Sequence, residues 1–184
     1  QGNGTTWAVG TAGTSATLYA VAGNSRTDVL AVGAIGVIVR YNGSAWNGEL
    51  GALSSNLHGA QNNKGASAIW AVGDSGGTQH FVAPNWMSAM SPANVTLFGV
   101  WADTATHGWA VGAGGNIQIW NGTVWSQQNS GVAADLFAIS GSNANDVYIV
   151  GSGGTILRGS GGIWSQETST VAQKLYGVSA LGSG

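Results

Sequence analysis

Arg40, His80 and Arg158 stand at one position of a spacing of 39 to 40 residues, with Ile119 at the remaining place. A guanidinium or imidazole in that column could hold an anion or a hydroxyl, although such residues on a strand are more often a solvated face. Trp101 breaks a second column, occupied elsewhere by Ala22, Gln61, Ser140 and Ser179, so no repeated packing role explains it. It is expected at the mouth of a central channel, where an indole could stack on a ligand. Trp101, Arg40, His80 and Arg158 are therefore the candidate ligand-binding residues. Asp28 and Asp146 share a third column with Ala68 and His107 and are expected to cap the turn before a strand.

Catalytic chemistry finds little support. Glycosidic cleavage needs convergent carboxylates, whereas Glu49, Asp74, Asp103, Asp135 and Glu167 occupy different repeat positions. Only Arg26, Arg40 and Arg158 could form an arginine cluster for an anionic substrate. No catalytic residue is assigned. His58, His80 and His107 lack the close spacing of a metal site, and cysteine is absent, so no metal or cofactor is expected.

These residues are carried by a repeat. Trp7, Trp46, Trp86, Trp125 and Trp164 step by 39, 40, 39 and 39, as do Leu18, Leu57, Leu97, Leu136 and Leu175. Gly33, Gly73, Gly112 and Gly151 keep the same period. Each unit holds four short β-branched or aromatic runs separated by Gly, Asn or Ser, with no helical periodicity. Four strands in a repeat of this length predict an all-β chain: a β-propeller of four-stranded blades. Full blades are expected at about 16–50, 54–90, 94–129 and 133–168. Residues 5–10 match an outer strand and 174–180 an inner strand, giving a partial fifth blade shared by the two ends of one domain, 1–184. The five tryptophans are expected to begin the outer strands and to pack between blades with Leu30, Trp70, Trp109 and Tyr148.

Composition narrows the partners. Five Lys plus Arg against seven Asp plus Glu give a net charge of −2, without the clustered cations that nucleic acid requires. No apolar run is long enough for a membrane span. The chain begins at Gln1, consistent with a removed leader. Asn-x-Ser/Thr triplets at Asn3, Asn42, Asn94 and Asn121 could accept N-glycans. The Asn-Gly pairs among them read as type I′ hairpin turns with both residues at positive φ. Low charge and hydroxyl-rich loops point to an extracellular or cell-surface location.

Segments such as NDVYIVGSGGTILRG and HGWAVGAGGNIQIWNGTVWSQQNSG resemble the D-V-W-A-V-G-x-x-G-T-I-x-x-Y-x-G-x-x-W repeats of bacterial secreted and cell-surface β-propellers. More distantly they are similar to BNR/Asp-box, sortilin-like and photosystem II assembly factor propellers. The resemblance implies the fold across the whole chain; such folds serve as lectins, sialidases, assembly factors and scaffolds. The expected function is a non-catalytic structural or adhesive propeller with a protein partner or self-assembly, completed by strand pairing between chains. A multivalent carbohydrate-binding lectin is the alternative, and a glycoside hydrolase the third reading.

Overall fold

A computed structural model describes residues 9–63 and 68–180; residues 1–8, 64–67 and 181–184 lie outside the described residues. The fold is all-β, and the described residues form four four-stranded antiparallel sheets in strictly sequential strand order. Blade 1 contains β1 (Leu18–Ser25), β2 (Asp28–Gly33), β3 (Ile38–Tyr41) and β4 (Trp46–Glu49). Blade 2 contains β5 (Leu57–Asn63), β6 (Ala68–Gly73), β7 (Thr78–Val82) and β8 (Asn85–Ser88). Blade 3 contains β9 (Leu97–Thr104), β10 (His107–Gly112), β11 (Ile117–Trp120) and β12 (Trp125–Gln128). Blade 4 contains β13 (Leu136–Asn143), β14 (Asp146–Gly151), β15 (Ile156–Ser160) and β16 (Ile163–Gln166). The first strand of each blade packs beside the first strand of the next, β1 to β5 to β9 to β13.

The glycine column explains how consecutive blades join. A Cβ on Gly73 would lie 1.8 Å from the carbonyl oxygen of Asn56, and one on Gly112 2.3 Å from that of Thr96. The chain entering the blade therefore crosses the end of the second strand at a distance only glycine permits. At this crossing the ladder between first and second strands slips by one residue, for example Leu57↔Gly73 followed by Gly59↔Val72. The skipped residues are Tyr19, His58, Phe98 and Phe137, one in each blade.

Blades bury their faces against one another. Leu30, Val32 and Ile38 meet Ile69, Ala71 and Trp86 between blades 1 and 2. Trp70 and Val72 meet Ala110, Trp120 and Trp125 between blades 2 and 3. Trp109 and Val111 meet Ile139 and Ile149, with Trp164 alongside, between blades 3 and 4. The expected packing of outer-strand tryptophans against second-strand residues is seen directly in the Trp70–Trp125 and Trp109–Trp164 ring pairs, at 5.1 and 5.9 Å. Such aromatic pairs add about 0.5–1.5 kcal/mol beyond their area burial.

Two expectations need correction, and a third falls mostly outside the described residues. Segment 174–180 forms no strand; it lies beside blade 4 through Leu175 N to Gly151 O at 3.0 Å and Ala180 N to Ser140 Oγ at 3.0 Å. Within 5–10, residues 5–8 lie outside the described residues and Val9 and Gly10 form no strand; Trp7 and Asn3 are likewise outside them. The Asn-Gly turns are not type I′, because only Gly43 and Gly122 take positive φ, at 100° and 95°. Asn42 Oδ1 instead accepts from the backbone N–H of Ser44 and Ala45, each at 3.0 Å, and Asn121 Oδ1 does the same for Thr123 and Val124. The side chain replaces one backbone turn bond, so the asparagine keeps ordinary backbone angles.

Candidate functional site

The Arg40, His80, Ile119 and Arg158 column sits directly across from Leu30, Trp70, Trp109 and Tyr148 of the neighbouring strand. Its members face the space between blades, near the end that carries the β1–β2 and β3–β4 type hairpins. The expected solvated face is wrong for Arg40, whose side chain is only 16% exposed, and right for Arg158, at 51%. The Asp28 carboxylate is engaged by Arg40. Arg40 donates to it from Nε to Oδ1 at 2.6 Å and from Nη2 to Oδ2 at 3.1 Å, a forked pair, while Glu49 lies 3.7 Å from Nη1. The Asp28 hydrogen bond raises the Arg40 pKa above its usual value against the opposing effect of burial. Asp146 makes the looser equivalent with Arg158, at 3.5 Å, and also accepts from Ser142 Oγ.

Two of the four candidate residues meet in one cavity. A cleft of about 610 Å³ spans the end of blade 2, from Arg40 on blade 1 to Trp120 and Ala105 on blade 3, with Trp70, His80 and Phe81 between them. Its walls are aromatic. The His80 ring lies 4.7 Å from Trp70 and 5.8 Å from Trp120, those two indoles are 5.2 Å apart at 69°, and Arg40 covers the face of Phe81 at 5.3 Å. Burial among these rings lowers the His80 pKa below 6.5, so the imidazole is neutral at physiological pH. Nδ1 of His80 is buried without a hydrogen-bond partner among the described residues.

Trp101 and Arg158 belong elsewhere. Trp101 packs between blades 3 and 4: it stacks on Trp109 at 5.7 Å and 14°, and a Cβ on Gly141 would come within 2.8 Å of its ring. A glycine in blade 4 thus makes room for a large side chain from blade 3, which explains the break in the column. Arg158 lies over Tyr148 at 5.6 Å.

The interface flanking the cleft also lacks a hydrogen bond that its neighbours have. Trp86 Nε1 donates to Glu49 Oε2 at 2.8 Å, and Trp164 Nε1 donates to Gln128 Oε1 at 3.0 Å. Ser88 occupies the equivalent place for Trp125, too short to reach, and the Trp125 indole N–H is buried without a partner among the described residues. Trp125 stands one ring behind the cleft, 5.1 Å from Trp70 and 5.4 Å from Trp120.

At the opposite end lies a feature that the sequence reading passed over. The residues skipped by the bulges form a continuous ladder around the inner wall: Tyr19 to His58 at 5.3 Å, His58 to Phe98 at 6.1 Å, Phe98 to Phe137 at 5.5 Å and Phe137 to Tyr176 at 5.0 Å. The available signal was an aromatic residue immediately after every leucine of the Leu18 column. His58 Nε2 is anchored 2.8 Å from Asp74 Oδ1, and Asp74 also accepts from Asn56 and Thr96. Partial burial pushes the Asp74 pKa up, and the bonds from His58, Asn56 and Thr96 outweigh it, leaving the value below 3.8. Among the described residues no group of three or more His, Asp or Glu could hold a metal ion.

No protein-family model matches the sequence, and no curated protein matches it. Solved structures of similar shape do exist. YCF48 bound to D1 peptide is 15% identical at a TM-score of 0.67, over 88% of this chain and 58% of that one. YCF48 from Cyanidioschyzon merolae is 13% identical at 0.66, over 89% and 63%. The WD40 β-propeller domain of Doa1 is 9% identical at 0.65, over 82% and 53%. This chain therefore spans less than two thirds of each of these structures, and at such identities the likeness establishes one thing, the β-propeller fold.

Proposed function

We propose that this protein is a non-catalytic binding propeller that holds a segment of a partner polypeptide, at the cell surface or outside the cell. The observation that carries this reading is the aromatic cleft at the end of blade 2, where Trp70, His80, Phe81 and Trp120 converge. Apolar walls with few free polar atoms suit an apolar side chain of a protein. A sugar ring would stack on the indoles, but its hydroxyls need several side-chain partners that these walls do not offer. The Asp28 and Glu49 carboxylates both face the single Arg40 guanidinium, an ion-pair network rather than a separated acid and base. Of the similar folds, the YCF48 structure with D1 peptide shows a propeller of this shape holding a peptide.

The surface location is supported by the low charge and by Asn42, Asn94 and Asn121, all exposed. In a eukaryotic secretory host these asparagines are expected to take N-glycans. Self-association is the accompanying reading for segment 174–180, which lies beside blade 4 without joining a ladder; sedimentation that gives only monomer would exclude it. Panning a random peptide library and screening a glycan array with the purified chain, alongside Trp120→Ala, tests the main reading. Enriched peptides that the variant no longer captures are the expected result. Glycan binding that depends on Trp120, with no peptide enrichment, would replace it with the lectin reading.

A further inference from the structure

At the end opposite the cleft, we propose that the aromatic ladder of the inner wall is a docking surface for an extended polypeptide segment, whose lysine or arginine side chains lie on its rings. The ladder is open to solvent. Tyr19 and Tyr176 at its two ends are 49% and 69% exposed, and His58, Phe98 and Phe137 between them are partly exposed. One cation already rests on it: the Lys174 ammonium lies 5.7 Å from the centre of the Phe137 ring, drawn to the negative face of the aromatic system. A lysine of the chain itself thus makes the contact proposed for the lysines of a partner.

The other half of the ladder carries the complementary charge without a cation. Asp74 is bonded to His58, which stands between Tyr19 and Phe98, and the Asp74 side chain is 34% exposed. The bonds from His58, Asn56 and Thr96 hold its pKa below 3.8, so it is ionised at neutral pH. They use three of its roughly four acceptor positions, which leaves room for one more donor. Among the described residues no lysine or arginine lies over Tyr19 or Phe98 or within ion-pair distance of Asp74. Asp135, two residues before Phe137, adds a second carboxylate and accepts from the Gly114 N–H. A basic side chain on this half would meet aromatic faces and a carboxylate together. Spacing favours a polypeptide over a small cation, because side chains on one face of an extended chain recur about every 6–7 Å. The rings step by 5.3 Å from Tyr19 to His58 and by 6.1 Å from His58 to Phe98. Each exposed contact of this kind is weak, so several along one segment must act together.

Calorimetric titration of the 184-residue chain with acetylated octalysine amide, acetylated octaglutamate amide and cellohexaose tests the inference. Octalysine is expected to bind, and the other two are not. Tyr19→Leu and Phe98→Leu keep an apolar side chain but remove the aromatic face, and each should weaken octalysine about two- to fivefold. Asp74→Asn should weaken it as well, while Trp120→Ala in the cleft should leave it unchanged. Thermal unfolding of each variant checks that the fold is kept, and Tyr19, exposed on β1, is the substitution least able to disturb it. Full octalysine affinity in both leucine variants would reduce the effect to long-range charge attraction and overturn the inference. A loss on Trp120→Ala in their place would move the binding to the cleft and overturn it too. Cellohexaose binding that depends on Tyr19 and Phe98 would make the ladder a sugar platform instead. If octalysine does not bind, the inference falls, whereas the reading of the cleft stands or falls separately with the peptide panning.

Discussion

The carboxamide oxygen of Gln128 accepts the indole N–H of Trp164 across the boundary between blades 3 and 4, at 3.0 Å. It also accepts that of Trp109, at the same distance. One side chain thus satisfies two of the indoles at that interface. Gln128→Ala is expected to lower the unfolding free energy by about 1–3 kcal/mol, because buried donors lose their acceptor. Ser88→Gln, which supplies the missing acceptor at the preceding interface, should raise it by about 1 kcal/mol. Urea denaturation with tryptophan fluorescence measures both, and equal shifts of the same sign would contradict the assignment.

The two arginine pairs should differ. Asp28→Asn breaks a forked, mostly buried ion pair and is expected to cost about 3 kcal/mol, since it leaves Arg40 under-compensated. Asp146→Asn removes a 3.5 Å contact to an arginine that is half exposed, and the cost should stay below about 1 kcal/mol and fade with added salt. Denaturation at low and high ionic strength compares the variants.

Ile35 has φ of 51° at the tip of the turn after β2, where blades 3 and 4 carry Gly114 and Gly153. It is 73% exposed, so its side chain gains little from packing in return for a left-handed backbone. Ile35→Gly is expected to stabilise by about 1 kcal/mol. The adjoining Gly36 is different: a Cβ there would lie 2.1 Å from the Leu53 carbonyl oxygen, and Gly36→Ala should destabilise strongly. Melting temperatures should move in opposite directions.

Acid should weaken the fold in two steps. Burial depresses the His80 pKa below 6.5, so between that value and its folded value the unfolded chain binds more protons. Stability is therefore full above about pH 6.5 and declines as the pH falls toward the folded value; His80→Phe should remove this step. Asp74 is also held below its ordinary 3.8, despite a partial burial penalty, by His58, Asn56 and Thr96. Its contribution is present above that value and lost as the pH falls through the folded pKa, and Asp74→Asn should flatten the second step. Unfolding free energies at closely spaced pH values follow both.

Periodicity alone determined the architecture, because a blade cannot bury its faces without a neighbour and every copy must repeat the residues that meet that neighbour. Trp46 and Trp125 open outer strands and Trp86 and Trp164 stand second in theirs, while Gly73 and Gly112 mark close crossings. The Leu18 column likewise opens every inner strand. The sites were less legible. Arg40 and His80 share a column yet reach one cleft only because Arg40 extends from blade 1 over Phe81 of blade 2. Trp101 looked free because its partners, Trp109 and Gly141, lie on another strand and another blade. The aromatic ladder required a bulge in each blade to turn alternate side chains into one arc, and a one-residue slip leaves no mark on a 39-residue spacing. Local sequence carries what recurs within a blade. Contacts between blades join residues some 40 positions apart, and which atoms meet there depends on side-chain length, as Ser88 and Gln128 show, so only the packed structure decides them.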